Sequence, residues 1–302
     1  MTLLKPLLYF SLFRYPLTEE EIYAFSEVPS KDQIREELNC LVKDNIIYKF
    51  DEFYLCEDNE SLIERRLLGN KMAKDIYEKA NKVSKFISKF PYVEGVGISG
   101  SLSKGYYDED GDIDFFIITA HKRLWIARTL LILYKKIFLL NSKKYFCVNY
   151  FISAGSLEID EKNRFTATEL VTMMPMYGNG SFHDFYEKNK WANSFLPNMT
   201  VSAGLEKLNP VEKPLSTRLI EKVLNTKLGE YLDSFFLKVT YSKWKLKFND
   251  LEDRHFNIAL KSTKNVSKHH PLNYQNQVIE RLNKKYVEYQ QAHNIHLPKE
   301  HA

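Results

Sequence analysis

Apolar residues recur at helical spacing through the first part of the chain, residues 1–58. An apolar run opens this part, and Thr18 with Glu21 three residues later predicts a capped second helix. Ser30 precedes a third amphipathic run, and β-prone residues over 46–56 surround a polar turn, which predicts a β-hairpin. Three helices followed by a hairpin is the element order of a winged helix-turn-helix module.

Beyond residue 58 the pattern first predicts helix and then a mixture of helix and strand. Residues 59–90 are polar with apolar positions at helical spacing, which predicts one long connecting helix, or two helices divided near Gly69, ended by Pro91. The further predicted elements are strands over 93–99, 112–119 and 145–152, an apolar helix over 124–140, a capped helix start at Thr166–Glu169, and helices over 220–248 and 275–291. The pattern therefore predicts an α+β fold with a mainly helical C-terminal region.

Composition and cysteine spacing exclude several classes of protein. Hydrophobic residues make up 44% of the 302 residues and aromatic residues 14%, which is enough apolar bulk for a packed core. The three cysteines lie far apart with no CxxC pair, which argues against a disulfide scaffold and a cysteine zinc site. Lys5 interrupts the N-terminal apolar run, and Arg128 lies within the apolar stretch 124–140. We therefore expect a cytoplasmic protein with no membrane span.

Charge is distributed unevenly along the chain, whose net charge is +4. Residues 1–58 hold six basic and twelve acidic residues, and this net charge of −6 argues against DNA binding by the winged-helix-like module. Residues 201–302 hold seventeen basic and eleven acidic residues, a net charge of +6. We therefore expect the C-terminal helices to form the wall that faces a nucleotide or nucleic-acid substrate.

The segment 97–119 carries the motif with the clearest chemistry. An apolar strand ends in Gly100 and Ser101, ten residues follow, and Asp112 and Asp114, separated by one apolar residue, open the next apolar strand. Residues two apart on a strand share a face, so the two carboxylates project together about 7 Å apart. Carboxylates in this arrangement can bind a pair of divalent ions, which in turn bind the attacking and leaving oxygens of a phosphoryl transfer.

The residues around the glycine-serine pair are suited to binding phosphate. Gly100 allows the backbone to approach a polyphosphate closely, and Ser101 adds a hydroxyl donor. A helix that opens after Ser101 would direct free N–H groups at the same anion. Lys104 is positioned to neutralise the charge of the outer phosphates.

Other motifs with similar letters do not fit the segment. A calcium loop that starts at Asp108 would need glycine at Ile113 and glutamate at Thr119. The chain has no GxxxxGK[ST] sequence, which excludes a P-loop NTPase. The letters GxGxxG occur at 95–100, but the next strand follows too soon for a Rossmann helix.

The glycine-serine pair, the ten-residue spacer and the two acids resemble the signature of the nucleotidyltransferase superfamily with the DNA polymerase β fold. The resemblance covers residues 91–155 at the level of motifs and implies a central mixed sheet. It implies an enzyme that transfers a nucleoside monophosphate from an NTP, with Mg²⁺ or Mn²⁺ as cofactor, to an acceptor hydroxyl on a protein, an RNA or a small molecule. The predicted parts are then a winged-helix-like module at 1–58, a connecting helix at 59–90, a nucleotidyltransferase-like domain at 91–200 and a helical region at 201–302.

The resemblance also implies a third carboxylate on a neighbouring strand, and the matching position holds Asn149. Asparagine can coordinate magnesium through its carbonyl oxygen but cannot accept a proton as a general base. Glu158, Asp160 and Glu169 are candidates for the missing carboxylate, and the spacing does not choose among them. Two alternatives stay open: a catalytically impaired nucleotide-binding or regulatory protein of the same fold, and a winged-helix DNA-binding regulator.

Three basic features outside the motif are candidate anion contacts. Arg128, one turn into the helix after the acidic strand, is either a phosphate contact or a structural arginine. The run 241–248 alternates basic and aromatic residues, which indicates either an ordinary amphipathic helix or an anionic acceptor groove. The segment 261–270 is basic and ends in His269 and His270, which are poor joint metal ligands and candidates for a phosphate or RNA contact.

Overall fold

Three helices and a small antiparallel sheet form the N-terminal part of the chain. The computed structural model describes residues 3–199, 205 and 208–301. The N-terminal elements are α1 (Leu4–Ser11), β1 (Leu17–Thr18), α2 (Glu19–Ala24), α3 (Lys31–Lys43), β2 (Tyr48–Phe50) and β3 (Phe53–Leu55), with sheet order β1-β3-β2. The assignment of this part as a winged-helix module stays a prediction.

Two side chains predicted as helix caps make the expected hydrogen bonds. The Thr18 hydroxyl accepts from the Glu21 N–H at 3.3 Å, and the Glu21 carboxylate accepts from the Thr18 N–H at 2.9 Å, which completes a capping box. The Ser30 hydroxyl accepts from the backbone N–H two residues later. The core of this part is completed from the far end of the chain by α12 (Tyr274–His293), whose Tyr286 is fully buried.

One unbroken helix, α4 (Ser61–Ser88), leads from the N-terminal part to the central sheet. Gly69 does not divide it. A Cβ atom at Gly69 would lie 2.1 Å from the ring of Tyr106. The absence of a side chain at Gly69 therefore lets the loop that contains Tyr106 pack against the helix. Of the two alternatives, the single helix is correct.

A five-stranded mixed sheet forms the centre of the fold. Its strands are β4 (Val93–Ser99), β5 (Asp114–Thr119), β6 (Cys147–Ser153), β7 (Met174–Gly178) and β8 (Val266–Lys268), in the order β7-β4-β5-β6-β8. Strands β5 and β6 are parallel, and the other neighbours are antiparallel. The helices of this central part are α5 (Gly100–Ser103), α6 (Leu124–Phe138), α7 (Arg164–Thr172) and α8 (Ser181–Lys188), followed by a 3₁₀ turn at Lys190–Ser194.

Helices cover both faces of this sheet. Phe115 and Ile117 of β5 pack on the side of α4 and α6, whereas Phe116 and Ile118 pack on the side of α7 and α8. This alternation buries β5 on both faces, as its uninterrupted apolar run requires. No helix in the described part of the chain combines the length and the apolar character needed to cross a membrane.

Three elements in the second half of the chain depart from the prediction. The predicted helix over 220–248 is two helices, since the chain turns at residues 225–226 and the Leu224 carbonyl packs where a Cβ of Gly229 would lie. A strand over Val266–Lys268 was not predicted, because it is short and lies in a basic segment. Helix α7 is capped by Asn163 and not by Thr166, whose N–H donates to the Asn163 side chain at 2.9 Å. The elements after residue 208 are α9 (Leu215–Leu224), α10 (Lys227–Lys247), α11 (Asp253–Ala259), β8 (Val266–Lys268) and α12.

Candidate functional site

Strand ends bring the residues of the sequence motif to one edge of the central sheet. Strand β4 ends at Ser99, which pairs with Asp114 at the start of β5. Strand β6 runs parallel to β5, and its first residue, Cys147, also pairs with Asp114. Gly100 and Asn149 therefore lie on either side of Asp114 at the same edge.

The glycine-serine bend packs directly against the second acid of the motif. Gly100 has a φ of +70°, and a Cβ atom there would lie 2.6 Å from Oδ2 of Asp114. Only glycine meets both requirements, the left-handed backbone and the close contact. Residues 100–103 then form the single turn α5, where the side chain of Ser101 is exposed.

The two motif acids lie in different surroundings. Asp112 is half-buried in the loop before β5, Ile113 is fully buried, and Asp114 is the first residue of the strand. The pKa of Asp114 is raised to about 6, chiefly by burial and in smaller part by the negative charges of Asp112 and Glu169. Hydrogen bonds from Cys147 and Asn149 act in the opposite direction. The site therefore carries concentrated negative charge.

Asn149 lies at an irregularity in the pairing of β5 with β6. Phe115 pairs with Val148 and Phe116 with Tyr150, which leaves Asn149 as an extra residue of β6. Its amide nitrogen donates a hydrogen bond to Oδ1 of Asp114 at 3.0 Å. In this position Asn149 is a donor to the carboxylate.

Cys147 is a site residue that the sequence reasoning missed. Burial and the nearby Asp114 carboxylate raise the pKa of the Cys147 thiol, which keeps it protonated and able to donate to Asp114. The signal was present, because Cys147 is two residues before Asn149 on a predicted strand, a spacing that places both on one face.

Of the three candidates for a further carboxylate, the structure brings Glu169 to the site. Its Oε2 accepts from the Gly100 N–H at 3.2 Å, and its Oε1 accepts from Nζ of Lys104 at 2.7 Å. Lys104 also donates to the Gly100 carbonyl at 3.0 Å. Glu158 and Asp160 instead pair with lysines elsewhere, Lys162 and Lys261.

Within the described ranges, no group of three or more His, Cys, Asp and Glu side chains is arranged to hold a metal ion. Asp114 faces the glycine bend from the first position of β5. The strand predicted over residues 112–119 begins two residues later than expected, so Asp112 lies in the loop before it and not on the strand. The carboxylate of Glu169 is engaged by Lys104 and the bend.

Residues 80–169 match the family model of the nucleotidyltransferase domain. The match covers 90 of the 302 residues and supports the nucleotidyltransferase superfamily for this part of the chain. The matched segment extends from the second half of α4 to α7 and contains Gly100, Asp112, Asp114, Asn149 and Glu169. The resemblance of the motif to this superfamily is confirmed, and at a coarse level the match supports a transferase type of enzyme. Comparison with curated proteins and with solved structures yields no match.

Proposed function

We propose that the protein transfers a nucleoside monophosphate from an NTP to an acceptor hydroxyl, with Asp112 and Asp114 as its catalytic, metal-binding pair. The observation that carries this proposal is the contact between the Gly100 bend and the Asp114 carboxylate. It sets a potential phosphate-binding turn beside a potential metal-binding acid, as transfer of a phosphoryl group requires.

The residues present fit a divalent ion that prefers oxygen ligands. Carboxylate oxygens are the usual ligands of Mg²⁺ and Mn²⁺. In the described part of the chain, Asp114 makes no ion pair, and the charges that shift its pKa, those of Asp112 and Glu169, are negative. Asp112 and Asp114 would hold the ion, with Asn149 beside them. When bound, such an ion neutralises charge on the phosphates and on the departing pyrophosphate.

The groups assigned to the triphosphate are the Gly100 N–H, the exposed Ser101 and Lys104. Two of these, the Gly100 N–H and the Lys104 ammonium, already bind the Glu169 carboxylate. An anion with two oxygens therefore fits between them, and a phosphate group that binds there takes the place of this carboxylate. Glu169 keeps Lys104 against the bend when no nucleotide is bound.

A second candidate function rests on Asn149. Its amide cannot accept the proton of an attacking hydroxyl, and it stands where the family pattern expects an acid. A protein of this kind would bind a nucleotide without turning it over. The two candidates differ in one measurable respect, the transfer of label from the α-phosphate.

The test is a transfer assay with NTPs labelled at the α-phosphate, in MgCl₂ or MnCl₂, with protein, RNA and small-molecule acceptors. We expect label transfer by the unmodified protein and none by the double variant D112A/D114A. A matched control is D110A, which removes an exposed carboxylate from the same loop and should leave transfer unchanged. Equal transfer by D112A/D114A would refute the proposal, and nucleotide binding without transfer to any acceptor would favour the second candidate.

A further inference from the structure

Two helices near the C-terminus, α9 and α10, bury very few of their own residues. Helix α9 has 10 residues and buries only Thr217, and α10 has 21 residues and buries only Gly229, Asp233 and Trp244. By contrast, α4 buries nine of its 28 residues. Helices in proteins owe most of their stability to the packing of an apolar face. Packing within the chain therefore accounts for little of the stability of α9 and α10.

The apolar residues of α10 form a stripe on the side of the helix that faces solvent. Leu228 is 53% exposed, Tyr231 68%, Phe235 46%, Val239 49% and Leu246 81%. Leu228 and Leu246 are five full helical turns apart, so they point in the same direction, and the other three lie close to the line between them. Helix α10 is therefore apolar on its exposed side as well as on its packed side.

Helix α9 extends this apolar surface. Its exposed apolar side chains also follow one side of the helix, and we call them, together with the stripe on α10, the α9–α10 face; those on α9 are Leu215, Leu219, Ile220 and Val223. The opposite side of each helix packs on one apolar cluster, through Leu224 of α9 and through Leu232 and Phe236 of α10. The two exposed sides therefore both point away from the body of the protein.

The α9–α10 face is large enough for a stable interface. A fully exposed aliphatic side chain presents about 100 Å² of apolar surface and an aromatic one about 200 Å². At the exposed fractions of its nine side chains, the face presents roughly 600 Å² of apolar surface. A homodimer interface of standard size buries about 800 Å² on each partner, about two thirds of it apolar. The face supplies this apolar area and lies at the upper limit of the patches that monomers expose.

The spacing of the stripe on α10 fits a second copy of the same helix. From Leu228 the intervals are seven residues to Phe235, four to Val239 and seven to Leu246, so the stripe reads the same in both directions. In a two-fold interface, residue i of one copy contacts residue j of the other, and j contacts i. An antiparallel pair of α10 helices therefore places Leu228 against Leu246 and Phe235 against Val239, and each apolar contact occurs twice.

The same arrangement also accommodates the residues beside the stripe. Tyr231 lies opposite Lys243 of the second copy, and an ammonium group over a tyrosine ring is a favourable contact. Both side chains are exposed in the single chain. Helix α9 joins the N-terminal end of α10 through the turn at residues 225–226, so it lies beside the C-terminal end of the second copy's α10. A second copy therefore covers both parts of the face.

We propose that the protein forms a two-fold symmetric homodimer through the α9–α10 face, with the two α10 helices antiparallel. This inference does not depend on the proposed function, since no residue of the face belongs to the candidate site.

The first test measures the mass of the protein by analytical ultracentrifugation over a wide range of concentrations. We expect twice the chain mass of 35.6 kDa for the unmodified protein. The variant F235E/V239E places charge at the centre of the interface and should raise the dissociation constant of the dimer at least about a hundredfold. Its control, L67E/L68E, makes the same change at two exposed leucines of α4 and should dimerise like the unmodified protein.

The second test distinguishes a lost interface from a lost fold. The variant F235K/V239K should also be monomeric. In the antiparallel arrangement, position 235 of one copy faces position 239 of the other, so F235E/V239E and F235K/V239K bring opposite charges together. We expect an equimolar mixture of these two variants to form a heterodimer, which only folded chains that meet through α10 can do.

The outcomes that would overturn the inference are specific. One is an unmodified protein that is monomeric at every concentration, whether or not the face then binds a different protein. Others are a dimer that F235E/V239E leaves intact, and a control L67E/L68E that dissociates to the same extent. A mixture of the two charged variants that stays monomeric would also overturn it.

Discussion

Replacement of Asp114 by asparagine should stabilise the protein near neutral pH. The pKa of Asp114 is raised from its ordinary value of 3.8 to about 6, chiefly by burial. Between these two values the folded state binds more protons than the unfolded state, so the free energy of unfolding falls as pH rises. The gap of about two pH units corresponds to about 3 kcal/mol that the ionised carboxylate costs the folded protein near pH 7. Asparagine keeps the shape of the side chain and removes this charge.

The assay is urea denaturation of the unmodified protein and D114N near pH 4 and near pH 7, without divalent ions. We expect the stability difference between the two proteins to shift in favour of D114N by up to about 3 kcal/mol from the lower to the higher pH. Losses of hydrogen bonding in D114N, such as a weaker bond from Cys147, act at both pH values and cancel in this comparison. The control D110N alters an exposed carboxylate and should show no such shift.

One result would refute this reasoning. A stability difference between D114N and the unmodified protein that is the same at both pH values would mean that Asp114 titrates normally in the folded state. The site would then be open to water or contain a cation that compensates the charge, contrary to the uncompensated acids described above.

Three further predictions concern the surroundings of Asp114. E169Q should lower the pKa of Asp114, because it removes a negative charge that raises this pKa, and carbon-13 NMR titration measures the change. E158Q is the control, and an unchanged pKa of Asp114 in E169Q would contradict the charge interaction between the two carboxylates. G100A and G180A both place alanine at positive φ, a strain of about 1–2 kcal/mol. In G100A the added methyl group also collides with the Asp114 side chain, so G100A should be destabilised more than G180A in urea denaturation. Equal destabilisation of the two variants would show that the contact with Asp114 does not require glycine at position 100. MgCl₂ near pH 7 should raise the melting temperature of the unmodified protein and of D110A but not of D112A/D114A, and an equal rise in all three would show that the ion binds elsewhere.

The parts of the fold that follow from local chemistry could be predicted from the sequence. The capping box of Thr18 and Glu21 involves neighbours in the chain, and the apolar strand over residues 93–99 ends where it was predicted to end. The relation between Gly100 and Asp114 also follows from local patterns, because each stands at the end of a strand whose apolar run is clear.

The parts that depend on distant contacts could not be predicted in this way. Strand β8 has three residues and forms because the edge of β6 offers partners, so its own residues carry little signal. Glu169 reaches Gly100 from 69 residues away, and no spacing rule connects them. The sequence leaves Arg128 open as a structural arginine or an anion contact, and its position between the rings of Trp125 and Trp244 depends on the packing of α10 against α6.

The most direct test of the central claim is a crystal structure with a non-hydrolysable NTP analogue and MnCl₂. We predict an anomalous manganese signal between Asp112 and Asp114. We also predict triphosphate density against the Gly100 N–H and Lys104, with Glu169 displaced. Nucleotide bound away from the Gly100 bend, or manganese absent from the two aspartates while the nucleotide is bound, would contradict the account.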